Sequence, residues 1–351
     1  MMSLTAAERI DYLNIGLMVL SFVMAVMLPF ELFLFSYAVL GPLHYITEIA
    51  WLDQRNFFLK RRQDVFFLVG ISFLIFLQVL MPFHIEQFFM SLNARWFGAE
   101  SMMFLIWVML ISGALTVFLF VAPYIFNKVE RYSTVTIWLI TSFILIIVAQ
   151  VFLPQSYKFL ALMLPTIIHV CVFTGMFILS GALKQNNGSA YSVFVLYMIL
   201  VVAFFVWDMN ISFTASSYAM THYTNSDFPA VNKALLSLFG HDLSDDLFSM
   251  GIGRNIQAFI AFVYTYHYLN WFSKTGLTGW HQVERTKLVG FALVWLGCLA
   301  VYVYDYRLGL QILFFFSFLH VVLEFPLNHK VGGQIVRDMG VRVRNMLQIQ
   351  G

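Results

Sequence analysis

The sequence predicts an all-α fold, a polytopic membrane helix bundle with about nine transmembrane helices. Composition is the first reason: 61% of the 351 residues are hydrophobic and only 11% are charged, whereas the surface of a soluble domain of this size needs about 25%. The second is the mean hydropathy of +0.81. The third is the length of the apolar runs, roughly 20 residues each, which matches the ~20 residues a helix needs to cross a ~30 Å hydrocarbon layer. A closed barrel, the other architecture that satisfies its backbone inside lipid, would show alternating segments of about 10 residues.

Candidate spans fall at 12–40, 64–83, 101–126, 133–153, 157–183, 190–212, 253–272, 288–305 and 309–327. The first is overlong and contains Pro29 and Glu31, so a kink or a break is open there. Two spans in that stretch would reverse every later crossing. Taken as one, with the N-terminus out and the C-terminus in, the interior segments hold fourteen of the 20 Lys and Arg residues and the exterior segments six, as the positive-inside rule requires. The expected organisation is a single transmembrane domain over 1–351. Residues 213–252 form an exterior cap loop within it, including a short amphipathic piece at Ala230–Phe239 begun by Pro229.

The start MMSLTAAERIDYLNIG has no basic cluster before the apolar run, so no cleavable signal is expected. A net charge of +2 without an arginine-rich stretch gives no nucleic-acid surface. Cys171 and Cys298 lie in apolar runs, where a thiol behaves as a small hydrophobe. No disulfide framework follows.

Ionisable residues inside spans are costly and therefore functional candidates. In GPLHYITEIAW, His44 and Glu48 stand four apart, on one face of a helix. FSFLHVVLEFPLNH repeats the spacing with His320 and Glu324, followed by His329 after Pro326, which is expected to break or bend the helix. His267 lies in AFVYTYHYLNWFSK, His281 in the next loop, and His169 near the middle of the fifth span. In the assumed orientation His44, Glu48, His267, His320, Glu324 and His329 share the cytoplasmic end of the membrane. Asp208 and Asn210 sit at the outer end of the sixth span.

Imidazole with carboxylate is a ligand mixture for iron, zinc or manganese. The expected metal ligands are His44, Glu48, His169, His267, His281, His320, Glu324 and His329, with Glu48 and Glu324 also as bridging or basic groups in a mononuclear or dinuclear site. The competing readings are hydrogen-bonded His–Glu pairs, packed imidazoles for His169 and His267, and interfacial residues for His281 and His329. Iron would bring oxygen activation on a hydrophobic or lipid-like substrate taken from the membrane lipids, with an electron donor where the reaction needs one. Zinc would bring hydrolysis. A proton-coupled or ion transporter, and a haem-binding electron carrier using two axial histidines, are the other classes.

With His44, His267 and His320 on separate helices among aromatic neighbours, and a final helix ending in a histidine-bearing motif, the chain resembles integral membrane metal oxygenases, most nearly the bacterial Brp/Blh-type carotene dioxygenases. The resemblance implies a multi-helical fold, an iron held by intramembrane histidines and a retinoid or carotenoid substrate. The HxxHH boxes of membrane desaturases and hydroxylases are absent. The expected location is a bacterial inner (cytoplasmic) membrane.

Overall fold

Helix α1 (Ala6–Met27) starts at a capping box: Thr5 accepts the Glu8 N–H at 3.2 Å, and the Glu8 carboxylate accepts the Thr5 N–H at 2.8 Å. It stops at Leu28, whose backbone is non-helical (φ −133°, ψ 59°), because the residue before a proline is pushed out of the α region. Pro29 then opens α2 (Pro29–Gln54) from the first helical position, where its missing N–H costs nothing. The expected first span, 12–40, is therefore two helices. The premise behind the charge count is removed with it, and the N-out, C-in orientation is not carried further.

In this computed structural model, residues 5–80, 103–207, 214–226, 228–241, 251–274 and 283–349 are described, with positions 91, 94, 95 and 209. Every regular element among them is helical. After α2 come α3 (Arg62–Leu80), α4 (Met103–Lys128), α5 (Tyr132–Phe152), α6 (Pro154–Gln185) and α7 (Gly188–Val206). Two short helices follow, α8 (Ser217–Thr224) and α9 (Pro229–Leu238), then α10 (Ile252–Ser273), α11 (Arg285–Tyr304) and α12 (Tyr306–Ile349). His281, Asp208 and Asn210 lie outside the described residues.

Seven of the described helices, α1, α2, α5, α6, α7, α11 and α12, are long and apolar enough to cross a membrane, against the nine expected. Two expected spans, 64–83 and 101–126, run into residues that are not described. The expected span at 253–272 is a helix of 22 residues, but Arg254, Asn255, Gln257, Thr265, His267 and Asn270 make it too polar for the count. Its residues are buried without interruption from Arg254 to Tyr268, as befits a helix enclosed by others rather than by lipid. α5 is the opposite case, with only Val135 and Ile146 buried. Pro326 does not end the last helix: α12 runs 44 residues through it, since one proline removes one backbone bond and its neighbours in the bundle hold the rest.

The chain forms two compact units. The first comprises Met1–Thr47, Thr166–Gly309 and Asn328–Gly351, and α10 is its axis, packed by α1, α2, α7 and α9. α2 runs parallel to α10, as the order of their polar rungs shows. Gln257 Nε2 donates to the Pro29 carbonyl at 3.1 Å, Ser36 meets Thr265 at 2.7 Å, Tyr45 meets Tyr268 at 2.8 Å, and Trp271 Nε1 donates to Thr47 at 3.1 Å. α1 is antiparallel to α10, with Ser273 donating to Asn14 at 3.0 Å at one end and Phe22 against Phe262 further along. Interhelical hydrogen bonds of this kind replace the hydrophobic drive that lipid does not supply.

The expected amphipathic segment is α9, which buries Val231, Asn232, Leu235 and Leu236. Its Asn232 donates to Gln257 Oε1 at 3.0 Å, and the Tyr223 hydroxyl of α8 lies against Asn232 and 2.7 Å from the same oxygen. Gln257 thus joins α8, α9, α10 and the start of α2. The far part of α12 is held by Arg342, which donates to the Leu183 carbonyl and the Tyr191 hydroxyl, both at 2.8 Å, and so serves the exposed carbonyl end of α6.

The second unit comprises Glu48–Pro165 and Leu310–Leu327. α4 packs on α3, α5 and the first part of α6. Aromatic contacts tie it together, with Phe118 against Phe143 (centroids 5.4 Å), Phe73 against Phe315 (5.8 Å) and Phe120 against Phe325 (4.9 Å). Tyr157 donates to the Gly113 carbonyl at 2.7 Å.

Gln257→Leu keeps the volume but strands the polar atoms of Asn232 and Tyr223 and the Pro29 carbonyl. It is expected to cost about 1–3 kcal/mol, read as a lowered thermal midpoint in detergent; a wild-type midpoint would show that this network is not what fastens α8 and α9.

Candidate metal centre

Two helices of the site depart from α geometry near the histidine they carry. In α6, residues Leu164–Phe173 form a π-helical stretch with His169 inside it. Pro165 is the sequence cause, since it lacks the N–H that would close an α-turn. The wider winding leaves the Cys171 carbonyl to accept the Tyr197 hydroxyl at 2.8 Å. In α2, Ser36–Leu40 is π-helical, and the Gly41 N–H reaches back five residues to Ser36. Pro42, which has no N–H, follows directly, and His44 comes two residues later. A Cβ on Gly41 would stand 2.8 Å from the Tyr45 hydroxyl, so glycine leaves room for the Tyr45–Tyr268 pair. Isolated π-turns inside helices are frequent at functional sites.

His44 on α2, His169 on α6, His267 on α10 and His320 on α12 are all buried, and each offers a ring nitrogen within 4.8 Å of the other three. The Nε2 atoms of His44 and His267 are 3.1 Å apart, with the rings at 77°. His169 stands against His267 with centroids 4.8 Å apart at 67°. Metal–imidazole bonds of about 2.0–2.1 Å put adjacent ligand nitrogens ~3.0–3.4 Å apart and opposite ones ~4.2 Å apart. The His44–His267 separation suits two nitrogens that would hold one ion.

Second contacts select the tautomers. His320 Nδ1 is 3.1 Å from the Phe316 carbonyl, which can only accept; Nδ1 therefore carries the proton and Nε2 the lone pair. His267 Nδ1 is 2.8 Å from the Thr174 hydroxyl, so a ring that donates there presents Nε2 in the same way. An outer partner on the far ring nitrogen is the usual device for orienting a metal-binding histidine. Around His44 the wall is aromatic: Tyr268, Trp271 and Tyr45 have ring centroids at 5.1, 5.5 and 5.9 Å.

Glu48 and Glu324 are buried, with their carboxyl groups close to each other. Each lies one helical turn beyond a histidine of the cluster, His44 or His320, and neither belongs to the four-nitrogen group. His329 is half-buried, further along α12, and is also outside that group. Cys171 and Cys298 are free thiols.

Thr174, the two π-stretches and the Tyr45–Tyr268 pair were not read from the sequence. Pro42 and Pro165, each within four residues of a histidine, are the trace that points to the π-stretches. Thr174 leaves no trace, because its role depends on α6 lying beside α10.

Fold and site together define an integral membrane protein with a buried tetra-histidine cluster able to chelate a metal ion. Comparison with protein-family models, with curated proteins and with solved structures gives no match.

Thr174→Val removes the partner of His267 Nδ1 while keeping the shape. It is expected to weaken metal binding about 10–100-fold in a chelator competition, with Thr174→Ser close to wild type; unchanged affinity in Thr174→Val would remove the orienting role.

Proposed function

We propose that the chain is a membrane-embedded, iron-dependent oxygenase acting on a hydrophobic, isoprenoid-like substrate drawn from the bilayer. The observation that carries this reading is the convergence of four buried imidazoles from four helices within 4.8 Å. Neutral nitrogen donors suit zinc, copper, iron and nickel, and the set contains no thiolate. Four protein ligands would close a tetrahedral zinc shell, which is the pattern of a structural site, whereas iron accepts further ligands. A bound ferrous ion would supply the electrons for activating dioxygen.

The protein's own residues have separate tasks. His44, His169, His267 and His320 hold the ion. Thr174 and the Phe316 carbonyl fix two of the rings. Tyr45, Tyr268 and Trp271 exclude water on the side of His44 and offer an apolar wall to a polyene or acyl chain. The Glu48–Glu324 pair, one turn from two ligands, places carboxyl groups close to the ligand helices in a medium where an uncompensated ion is costly. The 3.1 Å gap between the His44 and His267 nitrogens leaves no room for a porphyrin plane between these two rings, so the haem reading loses support. A dioxygenase that places both oxygen atoms in its product needs no electron donor; a monooxygenase would need one.

The protein purified in mild detergent is expected to carry about one iron per chain, lost in His267→Ala and His320→Ala variants that retain the wild-type helical spectrum. With aerobic addition of an isoprenoid polyene, label from ¹⁸O₂ should appear in the product only for the iron-loaded protein. Folded protein that holds no metal after aerobic and anaerobic purification, and that binds none on reconstitution, would overturn the reading. A tightly held zinc with hydrolytic activity would redirect it to hydrolysis.

A further inference from the structure

α10 begins far from His267, fifteen residues or ~22 Å away at 1.5 Å per residue. It opens at Gly251, which has φ 110° and provides no capping side chain. The first-turn amides of a helix carry its positive dipole end and are a natural seat for an anion, although a helix start alone does not make a site. The second observation is Arg254, in that first turn. It is 7% exposed, and its Nε and Nη2 are buried without a hydrogen-bond partner among the described residues. Side chains on a helix lean toward its N-terminal end, so the guanidinium and the first-turn amides act in one place. A buried charge deprived of its counter-charge is costly, which favours an anionic occupant.

The neighbouring residue shows where such an occupant would lie. Asn255 donates to the Trp207 carbonyl at 2.8 Å and accepts the Met209 N–H at 3.4 Å, pinning the start of α10 to the end of α7. The outer face of α7 leading to Trp207 is an apolar groove of about 370 Å³, lined by Met198, Ile199, Val202, Ala203, Val206 and Trp207. The helix start that carries Arg254 therefore adjoins one end of an apolar trough on a helix that is itself apolar enough to cross the membrane. We propose that Arg254 and the first turn of α10 bind the anionic headgroup of a membrane phospholipid whose acyl chain lies in the α7 groove. Charge complementarity selects the headgroup, and the groove selects a lipid over a free anion. The site makes no use of the histidine cluster.

The test uses the full-length protein, delipidated in neutral detergent and titrated separately with phosphatidylglycerol, phosphatidylcholine and inorganic phosphate, with binding followed by native mass spectrometry and thermal midpoint. One saturable phosphatidylglycerol is expected, bound about tenfold more tightly than phosphatidylcholine. Arg254→Gln should erase that preference and Arg254→Lys keep part of it. Val202→Trp, which fills the groove, should weaken phosphatidylglycerol but not inorganic phosphate. Equal binding of the two lipids by the wild type would overturn the proposal. So would a preference that survives in Arg254→Gln, or full protection by inorganic phosphate alone. Should Arg254→Gln fail to fold, the wild-type lipid ratio and Val202→Trp decide.

Discussion

The parallel contact between α2 and α10 is the constraint on which the rest of the first unit depends. In lipid a polar side chain has no water to fall back on, so each must find a partner on another helix or remain unsatisfied. α2 and α10 meet this demand rung by rung, from the Pro29 carbonyl to Thr47. The register leaves no freedom: sliding one helix by a turn would break the Ser36–Thr265 and Tyr45–Tyr268 bonds together. His44 and His267 occupy one rung of this ladder. Their 3.1 Å approach is set by the same register, and the ladder fixes the geometry of the candidate metal centre as directly as it fixes the fold.

The two π-stretches serve the same end by different means. A regular α-helix rotates its side chains by a fixed step, and that step need not aim a histidine at a distant point. A widened turn shifts the phase of everything after it. In α6 the shift includes His169 itself, and the carbonyl it displaces is taken up by Tyr197. In α2 the shift precedes His44 and Tyr45. Proline supplies both irregularities without interrupting either helix, because the surrounding bundle holds the remaining backbone bonds.

The sequence made part of this legible. Its composition and long apolar runs required membrane helices, and the repeated H-x-x-x-E spacing marked the helix faces of His44 and His320. Pro29 marked the point where the first apolar run breaks, although the run alone did not decide between a kink and two helices. Among the described residues seven helices rather than nine qualify as spans, partly because α10 has the length of a span but the polarity of an enclosed axis. Pairing of Glu48 with Glu324 was not readable either. Each acid stands near a histidine in the sequence, whereas the acid it meets lies 276 positions from it along the chain. Local spacing tells which residues share a face; which faces meet is decided by packing.

The distance along the chain between the rungs has a consequence for biogenesis. His44 and His267 are 223 positions apart, and at about 5–20 residues per second of synthesis α10 emerges roughly 10–45 s after α2 has entered the membrane. Through that interval Ser36, His44 and Tyr45 lack the partners they have in the finished protein. The early α1–α2 hairpin must be sheltered by the insertion machinery or by neighbouring chains while it waits. A substitution in this ladder therefore acts twice, once on the completed bundle and once on the yield of chains that survive the delay.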